Sequence, residues 1–189
     1  LVFIPVAKKI KAYKHITMMM IAKSFEAFRD NDFTFSINLS IEDIMSSDIF
    51  EFIMDTLKNS PASNRVIFEL LESEAIEDFK KVERFISEIR RYGAKIAFDD
   101  FGSGYSNFKY LTKIKPDFLK IDGSLIQDID VDSNSKLVVE SIVDFARKLG
   151  IQTIAEFVHT SPVLNIIKSV GIDFSQGFYI DEPSVELKL

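Results

Sequence analysis

The chain of 189 residues contains no cysteine, no tryptophan and only two histidines. Lack of cysteine excludes disulfides and thiolate metal sites, and fits a reducing compartment. No apolar run reaches the length of a membrane span. The stretch from Ile16 to Ala22 is enclosed by Lys14 and Lys23 and reads as a buried helix. No signal-peptide pattern is visible, so the expectation is a cytoplasmic domain, with membrane tethering of a longer parent protein left open. Positive charge is scarce as well: 23 Lys and Arg against 29 Asp and Glu leave a net charge of -6. Such a surface argues against binding duplex nucleic acid, which needs basic patches. A phosphate-bearing ligand would need local cations. There is no low-complexity tract or linker, and the length suits one domain with a large core.

What is present is alternation. Short runs rich in Ile, Val and Phe predict strands at Thr34–Leu39, Arg65–Leu71, Lys95–Asp99, Phe118–Ile121, Thr153–Phe157 and Phe174–Ile180. Between them the apolar residues take helical spacing. Phe79, Val82, Phe85, Ile86 and Ile89 form one stripe within Asp78–Tyr92, stopped by Gly93. Leu137, Val138, Ile142, Phe145, Ala146 and Leu149 form another within Ser135–Leu149, with Asn134 or Ser135 as cap and Gly150 as stop. Strand and helix in turn predict βαβ units on a parallel sheet.

Each predicted strand carries a polar group at its carboxyl end: Asn38; Glu69 and Glu72; Asp99 and Asp100; Lys120; Glu156; Gln176. In a TIM-type (β/α) barrel those ends form one mouth, where active sites lie. Each alone is explained by a solvated strand end or a helix cap. Glu69 and Lys120, however, sit inside apolar runs, where a charge needs a partner. A barrel has eight strands and about 250 residues, so the expectation is an α/β barrel, spanning residues 1–189, that lacks its first strand units. Phe3–Pro5 reads as the lead-in to a helix.

The segments "FIPVAKK", "FSINLS", "FELLES", "IAFDDFGSGYSNFKYL", "DFLKIDGSLI", "IAEFVHT" and "SQGFYIDEP" resemble, in that order, the EAL domain of bacterial cyclic di-GMP phosphodiesterases. The resemblance implies the following roles. Asn38, Glu69 and Asp99 would hold a first divalent metal, and Asp100 a second. Glu72 would brace the glycine loop and Lys120 would hold the attacking water. Glu156 would place the second metal or the lysine, and Gln176 would support the site. Gly102, Ser103 and Gly104, in the loop Phe101–Ser106, would couple the metals to a homodimer contact through the following helix. Upstream sensor or cyclase domains are common in such proteins. Three features depart from the family pattern. The Glu-Ala-Leu triplet is missing, since "FEAFR" at Phe25–Arg29 and "SEAI" at Ser73–Ile76 sit elsewhere in the pattern. The usual Ala-Glu-Gly-Val-Glu reads Ala155-Glu156-Phe157-Val158-His159. Ser103 replaces a common threonine.

The chemistry of the residues points the same way. Carboxylate and amide oxygens suit hard cations such as Mg²⁺ or Mn²⁺. Adjacent aspartates repel unless cations lie between them. Two such cations can activate a water for attack on phosphorus and neutralise the phosphoryl oxygens. Gly102 and Gly104 are expected at positive φ. Three functions fit: hydrolysis of cyclic di-GMP to linear pGpG, a catalytically impaired cyclic di-GMP receptor, or a proton-abstracting barrel enzyme of the enolase type. The glycine loop favours the first two. Retention of the metal-type residues favours the first, with a chain lacking the triplet expected to be poorly active alone.

Overall fold

The computed structural model describes residues 13–71, 76, 78–104 and 108–184. Among these, six strands alternate with helices, and the described chain forms two compact units. The predicted lead-in helix at Phe3–Pro5 lies outside the described residues.

The first unit starts with helix α1 (Tyr13–Ala27), followed by β1 (Phe35–Leu39), α2 (Ile41–Met45), α3 (Ser47–Asn59), β2 (Val66–Leu71) and α4 (Phe79–Arg90). The predicted buried helix is buried on one face only. Thr17, Ile21 and Phe25 are covered, whereas Met19 and Met20 are about half exposed. Four-residue steps place the first three on one side, and the methionines fall opposite. Phe25 and Phe28 grip Phe35 of β1, one ring edge-on at 5.3 Å and the other stacked at 4.5 Å. Ser40 starts α2 with a reciprocal cap, its hydroxyl accepting from the Asp43 amide while the Asp43 carboxylate accepts from the Ser40 amide. Strands β1 and β2 run parallel, with Asn38 opposite Glu69.

The second unit carries β3 (Lys95–Phe101, from Ala97 on), α5 (Phe108–Ile114), β4 (Phe118–Ile121), α6 (Gly123–Ile126), α7 (Ser133–Leu149), β5 (Gln152–Ala155), α8 (Ser161–Val170) and β6 (Phe174–Ser175). Strands β3 to β6 pair in sequence order, all parallel. Parallel neighbours joined through helices place all their carboxyl ends on one side. Phe98 and Leu119 are buried on one face of the sheet. On the other, Phe118 meets Phe174 at 6.0 Å. Rings of Phe101, Phe108 and Phe145 continue in edge-to-face contacts at 5.2 and 4.9 Å.

Several boundaries differ from expectation. The cap of α7 is Asp132, which accepts from the amides of Asn134 and Ser135, so neither of those two residues is the cap. Strand β5 stops at Ala155, because Phe157 has left-handed backbone at φ +57°. Strand β6 is only two residues long, and Phe178 to Ile180 form an exposed turn.

Candidate active site

Side chains alternate across a strand, so Asp99 and Asp100 would ordinarily point to opposite faces. A bulge removes that obstacle. Phe98 pairs with Leu119 but Phe101 pairs with Ile121, so one extra residue is absorbed between them. Asp100 takes up the slack at φ +57°, a conformation aspartate tolerates better than most residues. The chain then turns at Gly102, whose φ is +100°. A side chain there would also collide with the Leu125 methyl. Gly104 does not share this conformation and has open space around its Cα, so only one of the two glycines meets the expectation of positive φ.

The register explains the rest of the cluster. Lys120 is opposite Ile154, and Glu156 lies two residues further along on the same face. Ile154 is opposite Phe174, which puts Gln176 beside Glu156 in the same way. The contacts follow. Lys120 Nζ donates to Asp99 Oδ1 at 2.6 Å and pairs with Glu156 Oε1 at 2.9 Å. Gln176 Nε2 donates to Glu156 Oε1 at 2.7 Å. Lys120 is buried, 5% exposed. An ammonium that deep persists only with carboxylates around it.

Asp99, Asp100 and Glu156 each offer an oxygen within 4.8 Å of the others. Burial, then the Asp99 and Asp122 carboxylates, push Asp100 above the usual carboxylate range. Burial also raises Glu156, although Lys120 pulls it the other way. Three carboxylates and one ammonium leave a local charge of -2, and Asp122 deepens it. The donor set fits a divalent cation: oxygen ligands only, converging, with a charge surplus that a divalent ion would remove.

The structure thus gathers Asp99, Asp100, Lys120, Glu156 and Gln176 in the second unit. In the first, it sets Asn38 opposite Glu69, which is buried. Gly102, Ser103 and Gly104 follow the aspartates after Phe101, while Glu72 lies outside the described residues. Two features were not legible in the sequence. Asp122 caps α6 and faces Asp100, and is masked in the motif as an ordinary helix cap. A cavity of about 730 Å³ opens beside Glu156 and Gln176, walled by Phe157, Phe178 and the segment Asp181 to Pro183. The signal for that wall was the phenylalanine standing in a glycine position of the family pattern.

Comparison with known proteins identifies the arrangement. Residues 2–183 match the EAL domain family. The chain is 32% identical over 188 residues to the cyclic di-GMP phosphodiesterase PdeB of Shewanella oneidensis, an alignment covering 96% of this chain and 22% of that protein. It is 36% identical over 151 residues to PdeA of Borreliella burgdorferi, named for the same activity, covering 79% of this chain and 22% of that one. The chain thus spans about a fifth of these relatives' length. Among solved structures, the EAL enzyme Bd1971, with cAMP and cyclic di-GMP bound, superposes with a TM-score of 0.87 at 27% identity, over 96% of this chain and 52% of the other. A manganese and cyclic di-GMP complex of Klebsiella pneumoniae BlrP1 superposes with a TM-score of 0.80 at 30% identity, over 89% and 44%. The α/β fold expected from strand–helix alternation, a TIM-like barrel, is the fold of these proteins. By sequence and by architecture, this chain belongs to the EAL domain family.

Proposed function

We propose that the chain is a metal-dependent phosphodiesterase domain that hydrolyses cyclic di-GMP to linear pGpG in second-messenger signalling. The observation that carries this is the pairing of a buried Lys120 with Asp99 and Glu156, inside a group of three convergent carboxylates. Asp99, Asp100 and Glu156 would hold the cation, Mg²⁺ or Mn²⁺, and motif position adds Asn38 and Glu69 as further oxygen ligands. Cations held there would lower the pKa of a nearby water and offset charge on the phosphoryl oxygens.

The chain's own groups do the positioning. Lys120 has three N–H donors. Its contacts with Asp99 and Glu156 hold the ammonium within the carboxylate cluster, where it would stand close to the attacking water and to the phosphoryl oxygens. Gln176 locks the rotamer of Glu156 by donating to Oε1. In the reaction the water oxygen bonds to phosphorus, one ester P–O bond of the ring breaks, and the water proton ends on the departing ribose oxygen. The reading includes a homodimer formed through the segment after Asp100.

The test is incubation of the purified protein with cyclic di-GMP and Mn²⁺, following the linear product. Turnover that Asp99→Asn lowers by about 10²-fold or more supports hydrolysis. Tight binding without turnover supports the receptor instead. Neither binding nor turnover rejects both.

A further inference from the structure

We propose that Phe157 is a binding residue, its ring a stacking platform for one purine base of the cyclic dinucleotide. The inference rests on the proposed substrate and adds a residue that the shared family motif does not supply.

Three observations converge on this ring. First, a bulky residue occupies left-handed backbone, at φ +57°, where glycine is the ordinary occupant. Such strain persists where surrounding structure or function holds it, and it clusters at ligand sites. Second, the strain does not serve to bury the ring, since Phe157 is 57% exposed. A phenylalanine both strained and wet gains little in the free protein. Third, its seat is prepared. It lies over Gly123, where an added Cβ would come within 2.8 Å of the Phe157 Cβ. The His159 ring stands 5.6 Å away, tilted by 48°. The glycine beneath and the phenylalanine above are a matched pair: a side chain at either place excludes one at the other.

The ring's position gives it a use. Phe157 directly follows Glu156 and walls the cavity of about 730 Å³, along with Phe178, itself 71% exposed. The cavity's polar end, Glu156 and Gln176, belongs to the carboxylate cluster. A phosphodiester reacting at that end must place the attached nucleosides nearby. Aromatic faces accept bases of any identity by stacking, and loss of one such contact weakens binding by roughly tenfold to a hundredfold.

The protein has no tryptophan, so Phe157→Trp creates a single fluorescent reporter at this position. Titration with GMP, without added metal, is expected to quench its emission saturably. In parallel, calorimetry with cyclic di-GMP compares the wild type with Phe157→Tyr and Phe157→Gly. The tyrosine variant should keep wild-type affinity. The glycine variant should lose about tenfold to a hundredfold, with Mn²⁺ affinity unchanged and a melting temperature at or above that of wild type. Unchanged affinity in Phe157→Gly overturns the proposal. So does tighter binding, which would make the ring a plug, and so does a parallel loss of Mn²⁺ binding, which would make it a prop for Glu156. If the wild type binds no cyclic di-GMP at all, the proposed function fails separately. The GMP titration still decides the platform in that case: a saturable quench sustains it and a flat signal ends it.

Discussion

Lys120 carries more of the site than any other residue. It stands between two carboxylates in a place water barely reaches, so it acts as a built-in cation. Lys120→Met would leave Asp99 and Glu156 facing each other uncompensated, and breaking a buried pair in this way costs about 3–5 kcal/mol. The expected outcome is a lower melting temperature without metal, a larger upward shift on adding Mn²⁺ than the wild type shows, and loss of turnover. Thermal melts with and without Mn²⁺ check the first two. The carboxylates also set a pH dependence. Asp100 and Glu156 titrate above the usual range, chiefly because of burial. A raised folded-state value means that these groups favour the metal-free fold when protonated, and that this contribution is lost as pH rises through the folded value. Cation binding needs them ionised, so it gains over the same window. The Mn²⁺-induced rise in melting temperature is therefore expected to shrink as pH falls through the range where these two groups take up protons, and a rise that does not shrink on acidification would show that they are not ligands.

At the scale of elements, the periodic signals were legible and the backbone exceptions were not. Strand β4 was placed at its observed limits, Phe118–Ile121, because a four-residue apolar run holding one lysine has few other solutions in a parallel sheet. Helix α4 was found from its apolar stripe, with Asp78 as its cap. The bulge at Asp100 and the left-handed turn at Phe157 left no mark in the hydrophobic pattern, which reports burial and not φ. Strand β6 was drawn too long because Phe178, Tyr179 and Ile180 look like strand residues, yet they are about half or more exposed. At the start of α7, four successive residues from Asp132 to Ser135 can each cap a helix, and spacing alone does not choose among them. The bulge itself is testable. Deleting Asp100 should return β3 to regular pairing, keep the far-ultraviolet dichroism, and abolish Mn²⁺ binding. Gly177 gives a second test. Its φ is +149°, and a Cβ there would lie 2.3 Å from the backbone of Val158. Gly177→Ala should shift the turn, separate Gln176 from Glu156 and reduce stability by more than about 1 kcal/mol, read from urea denaturation.

Across the whole molecule, the acidic balance and the site make one account. With a net charge of -6, binding of the proposed anionic dinucleotide calls for local positive charge, and the convergent oxygens offer a place for cations to supply it. Among the described residues no helix is long and apolar enough to cross a membrane. Within the second unit, the polar strand ends read from the sequence fall together, because parallel strands joined by helices bring their carboxyl ends to one side. Which of those ends touch was set by register and by the bulge, and emerged only from the structure. The most direct test is anomalous diffraction at the manganese edge from crystals soaked in Mn²⁺. The account predicts a peak bounded by Asp99, Asp100 and Glu156, with Lys120 alongside. A manganese peak elsewhere, with Asp99 and Glu156 still paired to Lys120 and no ion beside Asp100, would contradict it.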